Sequence, residues 1–316
     1  MENKGNKEII VLEDPVVLAR VCGANDENLK VIESMLNVYI SARGNEIRME
    51  GDPGVKDRFR AVIDALTVAA RSGETPSTEY TRTLAGDAGP DAIWETVINV
   101  PNGRRVHPRS KNQAFYVRGM RENDISFCVG PAGTGKTYLA VAESLRLVLS
   151  KKLRKLVLTR PVVEAGESLG FLPGDLEQKL TPYLHPLQDA MESLAPFETI
   201  RRLEETRAIE IAPLAYMRGR SLNDCAVILD EAQNTTKEQM KMFLTRIGQG
   251  SRAIITGDVT QIDLPKRTES GLLHAIAALK NIDGIYFAYL HTADVVRNPL
   301  IKKIIQAYEI YENEKN

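Results

Sequence analysis

The chain has 316 residues, 43% hydrophobic and 26% charged, which is ordinary for a soluble globular protein and long enough for one large domain plus a small one. A formal net charge of -1 excludes a blanket attraction to nucleic acid or anionic membrane, so any such contact has to be local. Cys22, Cys128 and Cys225 are odd in number and form no CxxC, and His107, His185, His274 and His291 share no metal-ligand spacing, which argues against a disulfide framework or a zinc site. Charges at Glu2, Lys4, Lys7, Glu8, Glu13 and Asp14 leave no room for a signal peptide, and no later apolar run reaches membrane-spanning length. The expectation is a cytoplasmic protein with no membrane contact.

An apolar run at 8–12 suits a strand. Asp14-Pro15 then offers an N-cap with proline at the first helical position, and Gly23 offers a C-cap after Cys22. A second helix starts at Asp26, with Leu29, Ile32, Met35 and Leu36 on one face. Val38, Ile40 and Ala42 alternate along a strand, Gly44-Asn45 turns the chain, and Ile47 and Met49 alternate on the return. Asp52-Pro53 caps a third helix whose Phe59, Val62, Ile63, Leu66 and Ala70 face a core. The order strand, helix, helix, strand, strand, helix resembles that of a KH domain, an RNA-binding module that clamps the nucleic-acid backbone with a GXXG loop. Here the loop reads Gly23-Ala24-Asn25-Asp26, with a carboxylate where the second glycine should let a phosphate approach. A KH-like domain that clamps RNA and one that docks protein both remain open.

Between Ser72 and Asp91, eleven of twenty residues are Gly, Pro, Ser or Thr, which marks a flexible linker. The expected organisation is a KH-like domain over 1–72, a linker over 73–92 and a second domain over 93–316. The second domain opens with a hairpin around Pro101-Asn102-Gly103. Strand-like runs at 124–129, 154–159, 209–212, 225–229, 252–256 and 285–290 then alternate with helical stretches, which implies an α/β fold with a doubly wound parallel sheet.

Gly130-Pro131-Ala132-Gly133-Thr134-Gly135-Lys136-Thr137 matches GxxxxGK[ST] between the strand Ile125 to Val129 and a periodic helix, the context that gives the motif its meaning. Its glycines let backbone N–H groups wrap phosphates at a helix N-terminus, Lys136 reaches the β and γ phosphates, and Thr137 ligates magnesium. Ala226 to Leu229 is a buried-strand run ending in Asp230-Glu231. Asp230 suits magnesium and Glu231 suits a water that must be oriented and deprotonated. A third strand runs into Gly257-Asp258-Val259-Thr260-Gln261, where Gln261 and Asp258 are candidates for reporting the γ-phosphate. Gln113, shortly before the loop, can read an adenine edge.

Together these motifs resemble the first motor domain of superfamily 1 helicases, a RecA-like core. More closely, the chain resembles the PhoH family of ATPases, in particular bacterial members with a KH-like N-terminal domain. The resemblance rests on Pro108-Arg109-Ser110 with Gln113 and Tyr116, Gly130 to Thr137, Thr159-Arg160-Pro161, Gly166 through Gly174, Tyr216 to Arg220, Ile228 to Asn234, Thr256 to Gln261 and Asp294 to Arg297. Asn298 and Arg109-Ser110 are mild departures, and no PIN-type nuclease domain is present, so the ribonuclease activity of longer members is not carried over. The resemblance implies ATP and magnesium as ligands, phosphate-starvation nomenclature, and ribosomal RNA processing with a separate endoribonuclease, with RNA remodelling or unwinding as an extension.

About 220 residues after the linker hold only one motor core. The arginine that a second core would supply has to come from this core or a neighbouring subunit, which points to a head-to-tail homo-oligomer, a ring such as a hexamer. Arg297 and Arg160 are the first candidates, with Arg218 and Arg220 able to meet either phosphate or nucleic acid. Arg146 to Arg160 carries six cations and no acid, a local phosphate-backbone patch or a solvated helix end. The alternative function is a nucleotide-dependent switch or scaffold with a protein partner and no motor work. A small-molecule kinase lacks an acceptor site.

Overall fold

The computed structural model describes residues 6–71, 73, 75–86, 96–161, 176–265 and 269–295. It divides into two compact units, Met1–Val97 with His107–Ala114, and Ile98–Val106 with Phe115–Asn316.

In the first unit, β1 (Asn6–Val11) leads through α1 (Pro15–Cys22) and α2 (Glu27–Leu36) to β2 (Tyr39–Arg43), β3 (Glu46–Gly51) and α3 (Lys56–Arg71). The strands form one antiparallel sheet in the order β1, β3, β2. Asp14 caps α1 as expected, its carboxylate accepting from the amides of Val16 (2.8 Å) and Val17 (3.3 Å), and Gly23 closes the helix at φ 75°, a conformation glycine adopts freely. Asp26 stands at the N-cap position of α2, where that helix is expected to begin. It ends a short 3₁₀ turn, is left-handed like Asn25, and makes no side-chain cap to α2. The core beneath the sheet gathers Val21, Ile32, Ile47, Met49, Phe59, Val62, Ile63 and Leu66.

The stretch expected to be a flexible linker is partly helical. Helix α4 (Thr78–Ala85) is capped by Ser77, whose hydroxyl accepts from the amide of Tyr80 (3.2 Å), and it packs on α2 and α3. Tyr80, Leu84 and Ala85 are buried in the first unit's core. That burial outweighs a Ser/Thr-rich composition that costs helix propensity only tenths of a kcal/mol per residue, on the order of 0.5.

The second unit begins with a small hairpin, β4 (Ile98–Asn99) against β5 (Arg105–Val106). Helix α5 (Lys111–Glu122) follows, and its residues from Phe115 onward belong to this unit. The sheet comprises β6 (Ile125–Val129), β7 (Lys155–Arg160), β8 (Ile209–Pro213), β9 (Cys225–Leu229), β10 (Arg252–Gly257) and β11 (Ile285–Tyr289). These six coincide with the six expected strands to within a residue at each end. They are all parallel, in the order β11, β6, β10, β9, β7, β8.

Helices α6 (Lys136–Leu149), α7 (Leu176–Leu194), α8 (Phe197–Glu205), α9 (Lys237–Leu244) and α10 (Gly271–Leu279) connect the strands. Both faces of the sheet are covered, as its sequence demands. Along β9, Ala226 and Ile228 enter one core with Leu139, Leu145 and Leu156, while Val227 and Leu229 enter the other with Phe127, Met240 and Phe243. The parallel arrangement brings the carboxyl ends of β6, β7, β9 and β10 to one edge, where open α/β sheets bind ligands. No described helix is long and apolar enough to cross a membrane. All three cysteines are free and buried.

Candidate nucleotide site

At that edge β6 turns into the glycine-rich loop. Gly133 and Gly135 both hold φ 81°, a region open to glycine at no steric cost, and Gly135 is the N-cap from which α6 departs. Gly130 is required for a different reason, since a Cβ there would lie 2.5 Å from the carbonyl oxygen of Leu290. Thr134 closes the loop on itself, its hydroxyl donating to Pro131 O at 2.8 Å. Lys136 bends back so that Nζ donates to Gly130 O (2.6 Å) and Pro131 O (2.8 Å). Burial lowers its pKa, and the nearby thiol and carboxylates oppose that shift.

Across from the loop, Thr137 Oγ1 donates to Asp230 Oδ1 at 2.7 Å, and Thr256 Oγ1 donates to the same oxygen at 2.6 Å. Burial, with the charge of Glu231 next, pushes the Asp230 carboxyl upward, against Arg160 and the two threonines. A hydroxyl and a carboxylate side by side form a hard oxygen set that fits magnesium. Asp258 Oδ2, buried with no hydrogen-bond partner among the described residues, is an acceptor that a metal-bound water would satisfy. No cluster of three or more His, Cys, Asp or Glu that could hold a metal occurs among the described residues, so phosphate and water would complete the shell at Thr137 and Asp230.

Glu231 adopts φ 52°, ψ 39°, a left-handed conformation that is uncommon for a residue with a side chain. Its two carboxylate oxygens are held separately. Arg160, the last residue of β7, donates from NH2 to Oε1 at 2.7 Å, and its Nε lies 3.8 Å from Asp230 Oδ2. Gln233 Nε2 donates to Oε2 at 2.6 Å. The same amide nitrogen donates to Gln261 O (3.1 Å), and Gln233 Oε1 accepts from the Asp258 amide (2.9 Å).

Ala132, Gly133, Gly135, Lys136, Thr137, Asp230, Glu231, Asp258 and Gln261 line one cleft of about 260 Å³. Arg160 joins it through Glu231. Gln113 belongs to the first unit, where its Oε1 accepts from the Arg109 amide at 2.6 Å. Arg297 lies outside the described residues. Arg220 is occupied by Glu210, which holds both its terminal nitrogens, and Arg218 is exposed. The basic run is partly neutralised, with Arg146 on Glu143 and Lys155 on Glu210.

Sequence reasoning had given Gln233 and Thr256 no role. A glutamine two residues past an acidic pair, and a threonine closing the apolar run Ala253 to Ile255, are the available signals. Neither says what it touches until the neighbouring strands are paired.

A six-stranded parallel sheet with a glycine-rich loop, lysine, threonine and strand-end aspartate at its carboxyl edge defines a P-loop nucleotide-binding protein. The family model described as PhoH-like protein matches residues 105–309. The chain is 45% identical to the PhoH-like protein of Mycobacterium tuberculosis (strain ATCC 25618 / H37Rv) over 304 residues, 94% of this chain and 86% of that one. It is 45% identical to that of Bacillus subtilis (strain 168), covering 94% of this chain and 96% of the relative. Protein PhoH of Escherichia coli (strain K12) is 39% identical over 63% of this chain and 57% of its own. The chain belongs to the PhoH-like family.

Proposed function

We propose that this protein hydrolyses ATP with magnesium and couples hydrolysis to RNA metabolism. The observation that carries the proposal is Glu231, set beside Lys136, Thr137 and Asp230 in one cleft. Binding alone needs the loop and the magnesium pair, whereas a carboxylate one residue beyond the metal ligand supplies what water attack needs. Lys136 and the loop amides would hold the phosphates, and Thr137 and Asp230 would hold magnesium, which would supply charge neutralisation there. Glu231 takes a proton from the attacking water as its oxygen bonds to the γ phosphorus, and the bond to the β,γ-bridging oxygen breaks with its electron pair leaving on ADP.

The RNA arm rests on the first unit. Its element order and its β1, β3, β2 sheet support a KH-like reading. Asp26 in the loop and the near-neutral charge of the chain make that contact weak and local. Work in the cytoplasm on ribosomal RNA, beside an endoribonuclease and in a ring-shaped homo-oligomer, completes the proposal.

A switch that binds nucleotide and a protein partner without turnover is the second reading. One observation favours it, namely that donors hold both oxygens of Glu231. ATP turnover with and without single-stranded RNA separates the two. Stimulation by RNA that is lost in Lys136→Ala supports the first, and nucleotide binding without turnover in either condition supports the second.

A further inference from the structure

We propose that Arg160 is an exchangeable phosphate ligand within its own chain, giving up Glu231 for the terminal phosphate of a bound nucleoside triphosphate. This rests on the reading of the cleft as a hydrolytic nucleotide site, and adds where the arginine comes from and what it leaves behind.

Two donors hold Glu231, and they are not equivalent. Gln233 is 1% exposed, and both ends of its amide are committed, to Gln261 O on one side and the Asp258 amide on the other. Releasing Glu231 by moving Gln233 would strand those groups in the interior, each at the cost of an unsatisfied buried partner. Arg160 differs in exposure and in chemistry. Its side chain is 18% exposed, it is the last residue of β7, and its guanidinium spans both acidic residues, NH2 on Glu231 and Nε toward Asp230. A planar guanidinium binds carboxylate and phosphate with the same fork of donors, so a phosphate beside these acids offers it an equivalent partner.

Charge gives the exchange its direction. Three carboxylates, Asp230, Glu231 and Asp258, line the cleft with one lysine. A triphosphate brings more negative charge to these acids than one magnesium ion and Lys136 offset, and among the described residues Arg160 is a further cation already engaged with them. Turning it to the terminal phosphate places a positive charge on the group that gains negative charge during transfer. The same movement frees Glu231 Oε1 to face water. A diphosphate lacks the terminal group and leaves the Arg160 to Glu231 pair in place, so the pair would distinguish the nucleotide before cleavage from the product.

The test measures affinities of the full-length protein for ADP and for a non-hydrolysable ATP analogue, both with magnesium, in wild type, Arg160→Ala, Arg160→Lys, Glu231→Gln and the Arg160→Ala/Glu231→Gln double variant. Arg160→Ala should weaken the triphosphate analogue about tenfold, the loss expected for one charge-assisted contact, and leave ADP unchanged, with Arg160→Lys between. Glu231→Gln should tighten the analogue several-fold by relieving Arg160 of its competing partner, and this gain should vanish in the double variant. Equal losses for both nucleotides in Arg160→Ala, or a Glu231→Gln gain that survives without Arg160, would overturn the exchange. Failure of the wild type to bind either nucleotide would instead overturn the reading of the cleft itself.

A second arm tests the chain of origin. Mixing Arg160→Ala with Lys136→Ala protein should restore no turnover, because a ligand acting within its own chain cannot serve a neighbour. Recovery in the mixture would show Arg160 acting across an interface and defeat the proposal.

Discussion

The two compact units bury polar groups very differently. Beneath the first unit's sheet the buried polar residues are few, with Asn28, Thr67 and Thr81 among them. The second unit buries many more, and five of them, Lys136, Asp230, Gln233, Thr256 and Asp258, meet at the carboxyl edge of the sheet, while Glu143 lies away from it. Burying a charge costs several kcal/mol, on the order of 3–5 when its partner is missing, so such groups persist where partners or a ligand compensate them. The difference teaches that the first unit is organised by packing and the second around a charged ligand.

The sharpest way to break the comparison is to remove the group with a chemical task. Glu231→Gln keeps the side chain's size but removes the proton acceptor, and its single amide oxygen can accept from only one of the two donors, Arg160 and Gln233. Steady-state ATP turnover should fall about 10²–10⁴-fold with the melting temperature nearly unchanged. Turnover within twofold of wild type would assign proton removal elsewhere.

Glu143 tests the opposite case, a buried charge away from the cleft. It is 1% exposed on α6, and its carboxylate is gripped by Arg121 (3.2 Å from both Nε and NH2) and by Arg146 Nε (2.9 Å). Glu143→Ala removes the buried carboxylate that two partly buried arginines share and should cost about 3–5 kcal/mol in chemical denaturation. A loss under ~1 kcal/mol would show that solvent reaches the arginines and that the second unit tolerates unpaired charge away from the ligand.

In the first unit the corresponding polar change is local. Asp14→Ala removes the side-chain acceptor for two amides at the start of α1 and should cost about 1 kcal/mol, measured by urea unfolding followed through far-ultraviolet circular dichroism. Nucleotide affinity should not move. A change in affinity would mean that the packing of the first unit influences the cleft even without RNA.

Much of this contrast was legible in the sequence. The six strands of the parallel sheet are short runs rich in branched apolar residues between turn signals, a pattern that suits a doubly covered sheet, and the glycine loop declares its backbone through Gly133 and Gly135. Helix α4 was missed because Ser and Thr obscured the spacing of Tyr80, Leu84 and Ala85, and because burial against α2 and α3 decided the matter. Gln233 and Arg160 show the other limit. Arg160 was named as a candidate, yet that its partner is Glu231 follows from β7 lying beside β9, a pairing of residues 71 positions apart in the chain. Gln233 acquires its task only when β10 delivers the Asp258 amide to it.

The smallest effect comes from a charge pair that belongs to neither pattern. Glu210 on β8 accepts from Lys155 on β7 and from Arg220 NH2 (2.9 Å), and the Arg220 hydrogen bonds, outweighing burial, hold its carboxyl down at about 2. A carboxylate lowered on folding adds stability that is complete above its unfolded value, about 4.3, and is lost as pH falls toward the folded one. With 27% of the side chain exposed, screening limits the contribution to about 1 kcal/mol at neutral pH. Wild type and Glu210→Gln should therefore differ by that amount in urea midpoints above about pH 5 and converge as the pH is lowered through the range from about 4.3 to about 2. A gap that stays constant down to about pH 3 would mean that the glutamate contributes shape rather than charge. Such an ion pair would then follow the packing logic of the first unit although it lies in the second, and the contrast between the units would narrow to the carboxyl edge of the sheet.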